Sequence, residues 1–298
     1  MPYQYFPGCS LKSSGRAYEE SLLAVFRTLE IPLAELDDWN CCGATAYMSV
    51  DEVQAFALAA RNLALAEKTS AGGPVDLLAP CAACHLVLLK TQRYLAEHRD
   101  LNDEVAAGLR AIGLAYGGGV RVRHPLDVLV NDVGTDRVAK RVTQPLKGMK
   151  VACYYGCQVV RPFATFDRIH NPTTMDRLVK ALGATPVDWP LKTRCCGGTL
   201  MGTIPETGLR LNRILLREAK RRGADTMITV CPLCQFNLEC YQGEIGRKFG
   251  ESVTLPVIYL TQLMGMAFGL DDRELGLHRL FVPPARVPAA EEGRAVHA

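Results

Sequence analysis

Short apolar runs alternate with longer amphipathic stretches along this chain, and the alternation occurs twice. Tyr3 to Phe6 suits a strand, and Ser14 to Leu29 suits a helix. In that helix Leu22, Leu23, Val25 and Phe26 share a side, with Glu19 and Glu20 near its start. Asp51 to Lys68, rich in Ala and Leu, predicts a second helix. A strand at Asp76 to Ala79 and a helix over Ala83 to Glu97 follow. The second half predicts a strand at Val151 to Tyr155 and helices at Thr174 to Leu182 and Glu206 to Arg222. It closes with a strand at Thr226 to Val230 and a helix from Cys234 to Phe249. Strands alternating with helices predict an α/β fold with small, mainly parallel sheets flanked by helices.

The cysteines follow the same doubling. Cys9, the pair Cys41-Cys42 followed by Gly43, and Cys81-Ala82-Ala83-Cys84 form one set. Cys157, the pair Cys195-Cys196 followed by Gly197, and Cys231-Pro232-Leu233-Cys234 form the other. The intervening gaps are 31, 38 and 2 residues in the first set and 37, 34 and 2 in the second. Context repeats too: Phe6-Pro7-Gly8-Cys9 matches Tyr154-Tyr155-Gly156-Cys157. The period is too long for a solenoid repeat. It reads as two homologous domains, 1–145 and 146–298, joined near Leu146 to Gly148. Cys153 and Cys240 fall outside the pattern and read as small buried hydrophobes.

On the predicted elements, the cysteines fall at the C-terminal ends of strands and the starts of helices. Open α/β sheets place ligands there, and helix N-termini favour thiolates. Metal, cluster or disulfide are the candidates for what holds five thiols together. With 12 Cys in 298 residues, the content is below the roughly 8–10% of a disulfide scaffold. The net charge of +3 implies no surface on the scale of nucleic-acid binding. The N-terminus lacks the charged and apolar regions of a secretory signal, and the longest apolar stretch, 256–270, is too short to span a bilayer. A cytoplasmic protein without a membrane span is expected, and there metal or redox chemistry is favoured over structural disulfides. Five thiolates exceed the four that a zinc ion or an ordinary [4Fe–4S] cubane takes, so a polynuclear iron–sulfur cluster with an extra or bridging thiolate fits best. The glycine after each adjacent pair is expected to let the backbone pass close to the sulfides.

The doubled pattern Cys…Cys-Cys-Gly…Cys-x-x-Cys resembles the CCG, or cysteine-rich, domain family, and within it the B subunit of heterodisulfide reductase. The likeness extends to Pro7-Gly8-Cys9-Ser10, Pro80-Cys81, Arg161-Pro162, Cys195-Cys196-Gly197-Gly198 and the run from Leu260 to Leu277. It implies a noncubane [4Fe–4S] cluster in each half, bound by Cys9, Cys41, Cys42, Cys81 and Cys84 and by Cys157, Cys195, Cys196, Cys231 and Cys234. It implies that the two clusters face one another across a pocket at the domain interface and split a disulfide between them. It further implies two partners supplying electrons, a small ferredoxin-like subunit fed by a flavin-containing one. CCG domains of lactate- or glycolate-oxidising and other respiratory complexes are similar, and their role is electron transfer without a disulfide site. Arginine outnumbers lysine 24 to 10, as in a GC-rich bacterial genome, where the disulfide of coenzyme M and coenzyme B need not be the substrate.

Outside the cysteines, the chemistry is the cofactor's and no side-chain acid or base stands out. His85, just after Cys84, is a candidate proton donor, with a supporting or surface histidine as the plainer reading. His124 reads as a helix cap or interdomain contact. Lys192 and Arg194, beside the second pair, are candidates to attract an anionic substrate, or else exposed loop charges. Tyr154 and Tyr155 read as strand residues beside the cluster.

Overall fold

The computed structural model describes residues 2–44, 47–70 and 72–284. Its first half runs β1 Tyr3–Tyr5, α1 Gly8–Leu11, α2 Arg16–Thr28, β2 Leu33–Glu35, α3 Glu52–Lys68, β3 Val75–Leu78, α4 Ala82–Glu97, α5 Arg99–Ala111 and β4 Val120–Arg123. The connection holds α6 Pro125–Asp127, a π-helical stretch Val128–Val133 and α7 Thr135–Lys140. The second half runs β5 Lys150–Cys153, α8 Thr174–Ala181, β6 Thr185–Pro186, α9 Leu200–Thr203, α10 Pro205–Arg221 and β7 Thr226–Thr229. It ends with α11 Pro232–Cys240, α12 Gln242–Phe249, β8 Val257–Tyr259 and α13 Leu260–Ala267.

Each half builds a four-stranded sheet, ordered β2-β1-β3-β4 and β6-β5-β7-β8, with every pairing parallel. The two orders are the same, which is the duplication expressed as topology. The chain order reverses direction beside β1 and β5, the position where open α/β sheets leave a crevice at the strand ends. β7, central in its sheet, is buried at all four residues, as a strand covered on both faces must be.

The helices follow local chemistry. In α2 the buried Tyr18, Leu22, Val25 and Phe26 recur at helical spacing. Asp51 caps α3 by accepting from Gln54 N at 2.9 Å, and α10 opens on Pro205, where no backbone N–H is needed. The stretch expected to be one helix, Cys234 to Phe249, is two, broken at Tyr241. Gln242 at the start of α12 accepts from Leu255 N and donates to Leu255 O, a tertiary tie that overrides the local helix pattern. Strands β2, β6 and β8 carry no strong alternation of their own, whereas β4 alternates Val and Arg, with both valines buried. The first three are short, and pairing in the sheet rather than composition defines them.

The halves exchange their last elements. α13 of the second half packs along α2 of the first, where Tyr18 and Tyr259 stack at 4.4 Å with 5° between the rings. Ser21 Oγ and Thr261 Oγ1 are hydrogen-bonded there at 2.7 Å. In return α6 and α7 pack against α8. One continuous apolar cluster joins residues of both sheets. Among the described residues no helix is long and apolar enough to cross a membrane.

Because the buried Tyr18 ring spans the two halves, Tyr18→Ala is expected to cost about 3 kcal/mol or more and to shift one shared unfolding transition. Denaturant titration followed by circular dichroism and fluorescence checks this. A transition confined to one half would show that the exchanged helix does not couple them.

Candidate iron–sulfur centres

The loops that leave the strands carry the thiols. Cys9 lies in α1 just past β1, and Cys41-Cys42 lies in the loop after β2. Cys81 is the residue that caps α4, and Cys84 occupies its first turn. The second half repeats this with Cys157 past β5, Cys195-Cys196 past β6, Cys231 capping α11 and Cys234 in its first turn. All twelve cysteines are free thiols.

Within each set the sulfurs touch. Cys9 and Cys41 Sγ are 3.8 Å apart, and Cys42 and Cys84 Sγ are 3.1 Å apart. Cys196 and Cys234 Sγ are 3.6 Å apart. Cys157 and Cys196 stand close enough to Cys195 to pull its thiol down. The sets also meet each other: Cys231 and Cys81, from the two halves, shift one another's thiol in opposite directions. Among the described residues no group of three His, Cys, Asp or Glu side chains is arranged to hold a single metal ion; each set is a spread of contacting thiols.

Backbone geometry prepares these sulfurs for negative charge. Cys81 is held well below the ordinary thiol range, first by Cys231, then by Cys84 and by the backbone N–H groups of Cys84 and Ala83. Cys42 is lowered by Cys41, then Cys84, with Ala44 N–H adding to it. Cys195 is lowered by Cys157, then Cys196, and Gly197 N reaches its Sγ at 3.3 Å. The partners shift the opposite way: Cys84 is pushed up by its bonds to Cys42 and Cys81.

Two glycines make room for sulfur, and they are not the ones after the pairs. Gly8 (φ +67°) and Gly156 (φ +70°) precede the lone cysteines, and a Cβ on them would stand 3.0 Å from Cys84 Sγ and 3.2 Å from Cys234 Sγ. Gly43 and Gly197 also have positive φ, but a Cβ there would meet α3 at Ala55 and α10 at Gly208. Their role is turn geometry and helix packing. An all-thiol donor set, N–H groups aimed at sulfur and a cradle that a Cβ would fill together fit an iron–sulfur group in each half.

Cys153 stands apart. It is wholly buried, its pKa is raised by burial and then by Asp176, and none of the candidate thiols contributes. Gly156 and Cys157 instead occupy the place that Gly8 and Cys9 hold in the first half. Cys240 is half-buried beside Glu239 and pushed up to about 11, mainly by burial.

Of the remaining candidates, Lys192 is neither exposed nor free. It is buried and paired with Asp176 at 2.6 Å, whose other oxygen accepts from Tyr155 Oη at 2.7 Å. The Lys192 carbonyl accepts from Tyr155 N and Gly156 N, so this residue anchors the turn that delivers Cys157. Arg194 is exposed, and among the described residues no carboxylate pairs with it. His124 caps α6 by accepting from Leu126 N at 3.1 Å, bonds Pro80 O at 3.0 Å and stacks on Phe166 of the second half. Burial brings it down to about 4. His85 is buried, stands edge-on to His124 at 5.4 Å, and its Nδ1 has no hydrogen-bond partner.

Tyr154 and Tyr155 lie past the end of β5. Tyr154 is buried and pushed up by burial, then by the charges of Cys234, Cys196, Cys157 and Cys195, and its Oη donates to Arg194 O at 2.7 Å. Sequence reasoning did not single out Asn237, which donates to Cys196 Sγ at 3.6 Å and to Gly198 O at 2.9 Å. Its one signal is a polar residue on a helix face that is apolar in α4. Nor did it find Phe166, which carries no pattern. Cavities of about 280, 390 and 660 Å³ are lined by residues around Lys192, Gln242 and Phe26, and by none of the candidate cysteines.

Comparison with known proteins places this geometry. The cysteine-rich CCG domain family matches at residues 3–89 and again at 151–239. The chain is 32% identical over 278 residues to the 8-methylmenaquinol:fumarate reductase membrane anchor subunit of Wolinella succinogenes, covering 93% of this chain and 95% of that one. It is 28% identical over 281 residues to the B subunit of the ferredoxin:CoB-CoM heterodisulfide reductase of Methanosarcina mazei, covering 92% and 91%. A crystal structure of a hypothetical protein from Helicobacter pylori shares the fold, with a TM-score of 0.76 at 14% identity over 96% of this chain. The present chain spans about half (53%) of that one.

Gly156→Ala would force a side chain into a left-handed turn, costing about 1–2 kcal/mol, and would press on Cys234 Sγ. The expected result is a lowered melting temperature, with faster alkylation of Cys234 in protein purified free of iron. Unchanged melting and unchanged reactivity would show that the turn tolerates a Cβ.

Proposed function

We propose, from the premise that this chain belongs to the cysteine-rich CCG domain family, that it is the iron–sulfur subunit of a heterodisulfide reductase-like complex. The observation that carries this reading is that both thiol sets are complete and meet at Cys81 and Cys231, so neither half is vestigial. Noncubane [4Fe–4S] clusters, one per set, would supply one-electron chemistry at iron when bound. Cleaving one disulfide into two thiols takes two electrons and two protons, and two centres flanking one S–S bond match that demand. The reverse reaction forms the disulfide and releases the same electrons.

The chain's own residues position that chemistry. The start of α4 aims the N–H groups of Ala83 and Cys84 at Cys81, and in the second half Gly197 N reaches Cys195 Sγ, lowering the cost of thiolate charge. Gly8 and Gly156 keep the space beside Cys84 and Cys234 open. Arg194, exposed beside Cys195, is placed to meet an anionic substrate, whereas Lys192 is held by Asp176. Electrons would come from a small ferredoxin-like partner, supplied in turn by a flavin-containing one, in a cytoplasmic complex.

A second reading is favoured by a specific observation. The likeness to a subunit of a quinol:fumarate reductase is 32%, against 28% for a heterodisulfide reductase subunit. In that case the two centres relay electrons within a respiratory complex and no disulfide site exists. A quinol-linked complex would then recruit this chain to the membrane without a spanning helix in the described residues. Lactate- or glycolate-oxidising complexes fall under the same reading.

Protein prepared without oxygen is expected to carry about eight iron and about eight acid-labile sulfide. Cys153→Ala and Cys240→Ala should leave both near wild type, while Cys157→Ala loses about half. Two zinc and no sulfide, or loss of iron in Cys153→Ala alone, would sink the assignment. Turnover separates the two readings. Cys42→Ala and Cys196→Ala, each checked for survival of the opposite centre, should each abolish thiol release driven by a reduced viologen dye, since parts acting as a unit are non-additive. Roughly half of wild-type turnover in either variant would mean two independent centres. No turnover in the wild type, alongside rapid dye oxidation by a quinone, would favour the relay.

A further inference from the structure

The thiol framework repeats, but the residues around it do not. Counting from the lone cysteines, Phe6 corresponds to Tyr154 and Ser13 to Arg161. Counting from Cys84 and Cys234, Val87 corresponds to Asn237. In the first half these positions offer the sulfurs little. Phe6 and Val87 are buried and apolar, and Ser13 Oγ donates to Cys9 O. The nearby Lys12 is bound by two carboxylates, Glu19 at 2.7 Å and Glu35 at 2.8 Å.

In the second half the same three positions are polar or cationic. Asn237, 1% exposed, donates directly to Cys196 Sγ at 3.6 Å. Arg161 donates through Nη2 to Thr193 O at 2.5 Å, and its positive charge acts on Cys195. Among the described residues no carboxylate pairs with Arg161. Tyr154 Oη fixes the Arg194 carbonyl just before Cys195.

We propose that Asn237 and Arg161 make the C-terminal centre the one of higher reduction potential, so that a single electron delivered to this chain resides there first. The inference rests on the reading that each thiol set holds an iron–sulfur cluster. Reduction adds one negative charge to a thiolate-rich group, and the donor that supplies it is oxidised by one electron. A hydrogen bond to a ligand sulfur and a nearby uncompensated cation stabilise the reduced form more than the oxidised one. The buried amide acts with little screening, and Arg161, half-buried, acts as a full charge. Solvent exposure works the other way, since Cys9 and Cys41 are both exposed while Cys157 is only partly so. The N–H groups of Ala83 and Cys84 on Cys81 also favour the first half; the inference is that a buried side-chain donor together with an unpaired cation at the sulfurs outweighs both. Asn237 and Arg161 are positioning residues here: they act through Cys196 and Cys195.

The test is a dithionite titration of anaerobically prepared protein, poised at known potentials and followed by electron paramagnetic resonance. Iron and sulfide are assayed first. Two resolved one-electron steps are expected. Asn237→Val, which installs the first-half residue, should lower the upper step about tenfold in the equilibrium constant, about 59 mV for one electron, and leave the lower step in place. Arg161→Ser should move the same step the same way, and it carries the test if Asn237→Val loses its iron. Two clusters titrating together in the wild type, or variants that shift the lower step, overturn the inference while the two-cluster reading stands. Iron and sulfide for one cluster or none remove that reading itself, and the inference falls with it before any titration is run.

Discussion

A sulfur that carries charge cannot be buried alone, and this fold is arranged around that constraint. Cys42, Cys81, Cys84, Cys196, Cys231 and Cys234 are buried, where an isolated thiolate is costly. Compensation comes from N–H groups at the start of α4 and at the turns after the cysteine pairs. That requirement sets where α4 begins, at the end of β3, and α11 begins likewise at the end of β7. The starts of these two helices come together, because Cys81 and Cys231 stand side by side and shift one another's charge. Two helix starts held in contact leave the halves little freedom to separate. The exchange of α13 onto α2, with Tyr259 on Tyr18, and of α6 and α7 onto α8 closes the arrangement.

Much of this was legible in the sequence for a physical reason. Thiols that gather into one set must sit at fixed structural positions, so a duplicated fold repeats them in order even when little else repeats. The strands under them, Tyr3–Tyr5 and Thr226–Thr229, were visible because they are central and apolar. The edge strand Thr185–Pro186 was not, since two residues defined by one parallel pairing leave no periodicity. The break at Tyr241 was hidden as well, because the Gln242 ties to Leu255 are tertiary. Lys192 reads as a loop charge in sequence, and only the fold brings Asp176 to it across 16 positions.

The similarities divide the question of function cleanly. The chain resembles both a fumarate reductase subunit and a heterodisulfide reductase subunit over more than nine-tenths of its length. Fold and framework therefore establish the family and not the reaction. The reaction depends on what lies between the centres and on what supplies electrons. Two aromatic pairs drawn from both halves, Tyr18 with Tyr259 and Phe166 with His124, join the halves, and Cys81 acts electrostatically on Tyr18, Tyr259 and His124.

The same duplicated position has been put to different uses in the two halves. Gln235, which follows Cys234, is fully engaged: it donates to Glu239 at 2.7 Å and to Val257 O at 3.2 Å, and it accepts from Tyr259 Oη at 3.4 Å. Glu239 in turn accepts from the backbone of Phe281 and Val282. Through Glu239 the amide thus ties Phe281 and Val282 to the helix that carries Cys234. Its counterpart after Cys84 is His85, whose Nδ1 is buried without a partner, its imidazole kept uncharged by burial and by His124. A buried polar atom left open costs about 1–3 kcal/mol, a cost the second half avoids with an amide of similar size. Duplication copied the scaffold; divergence at such positions made one half a structural anchor and left the other with polar capacity beside its thiols.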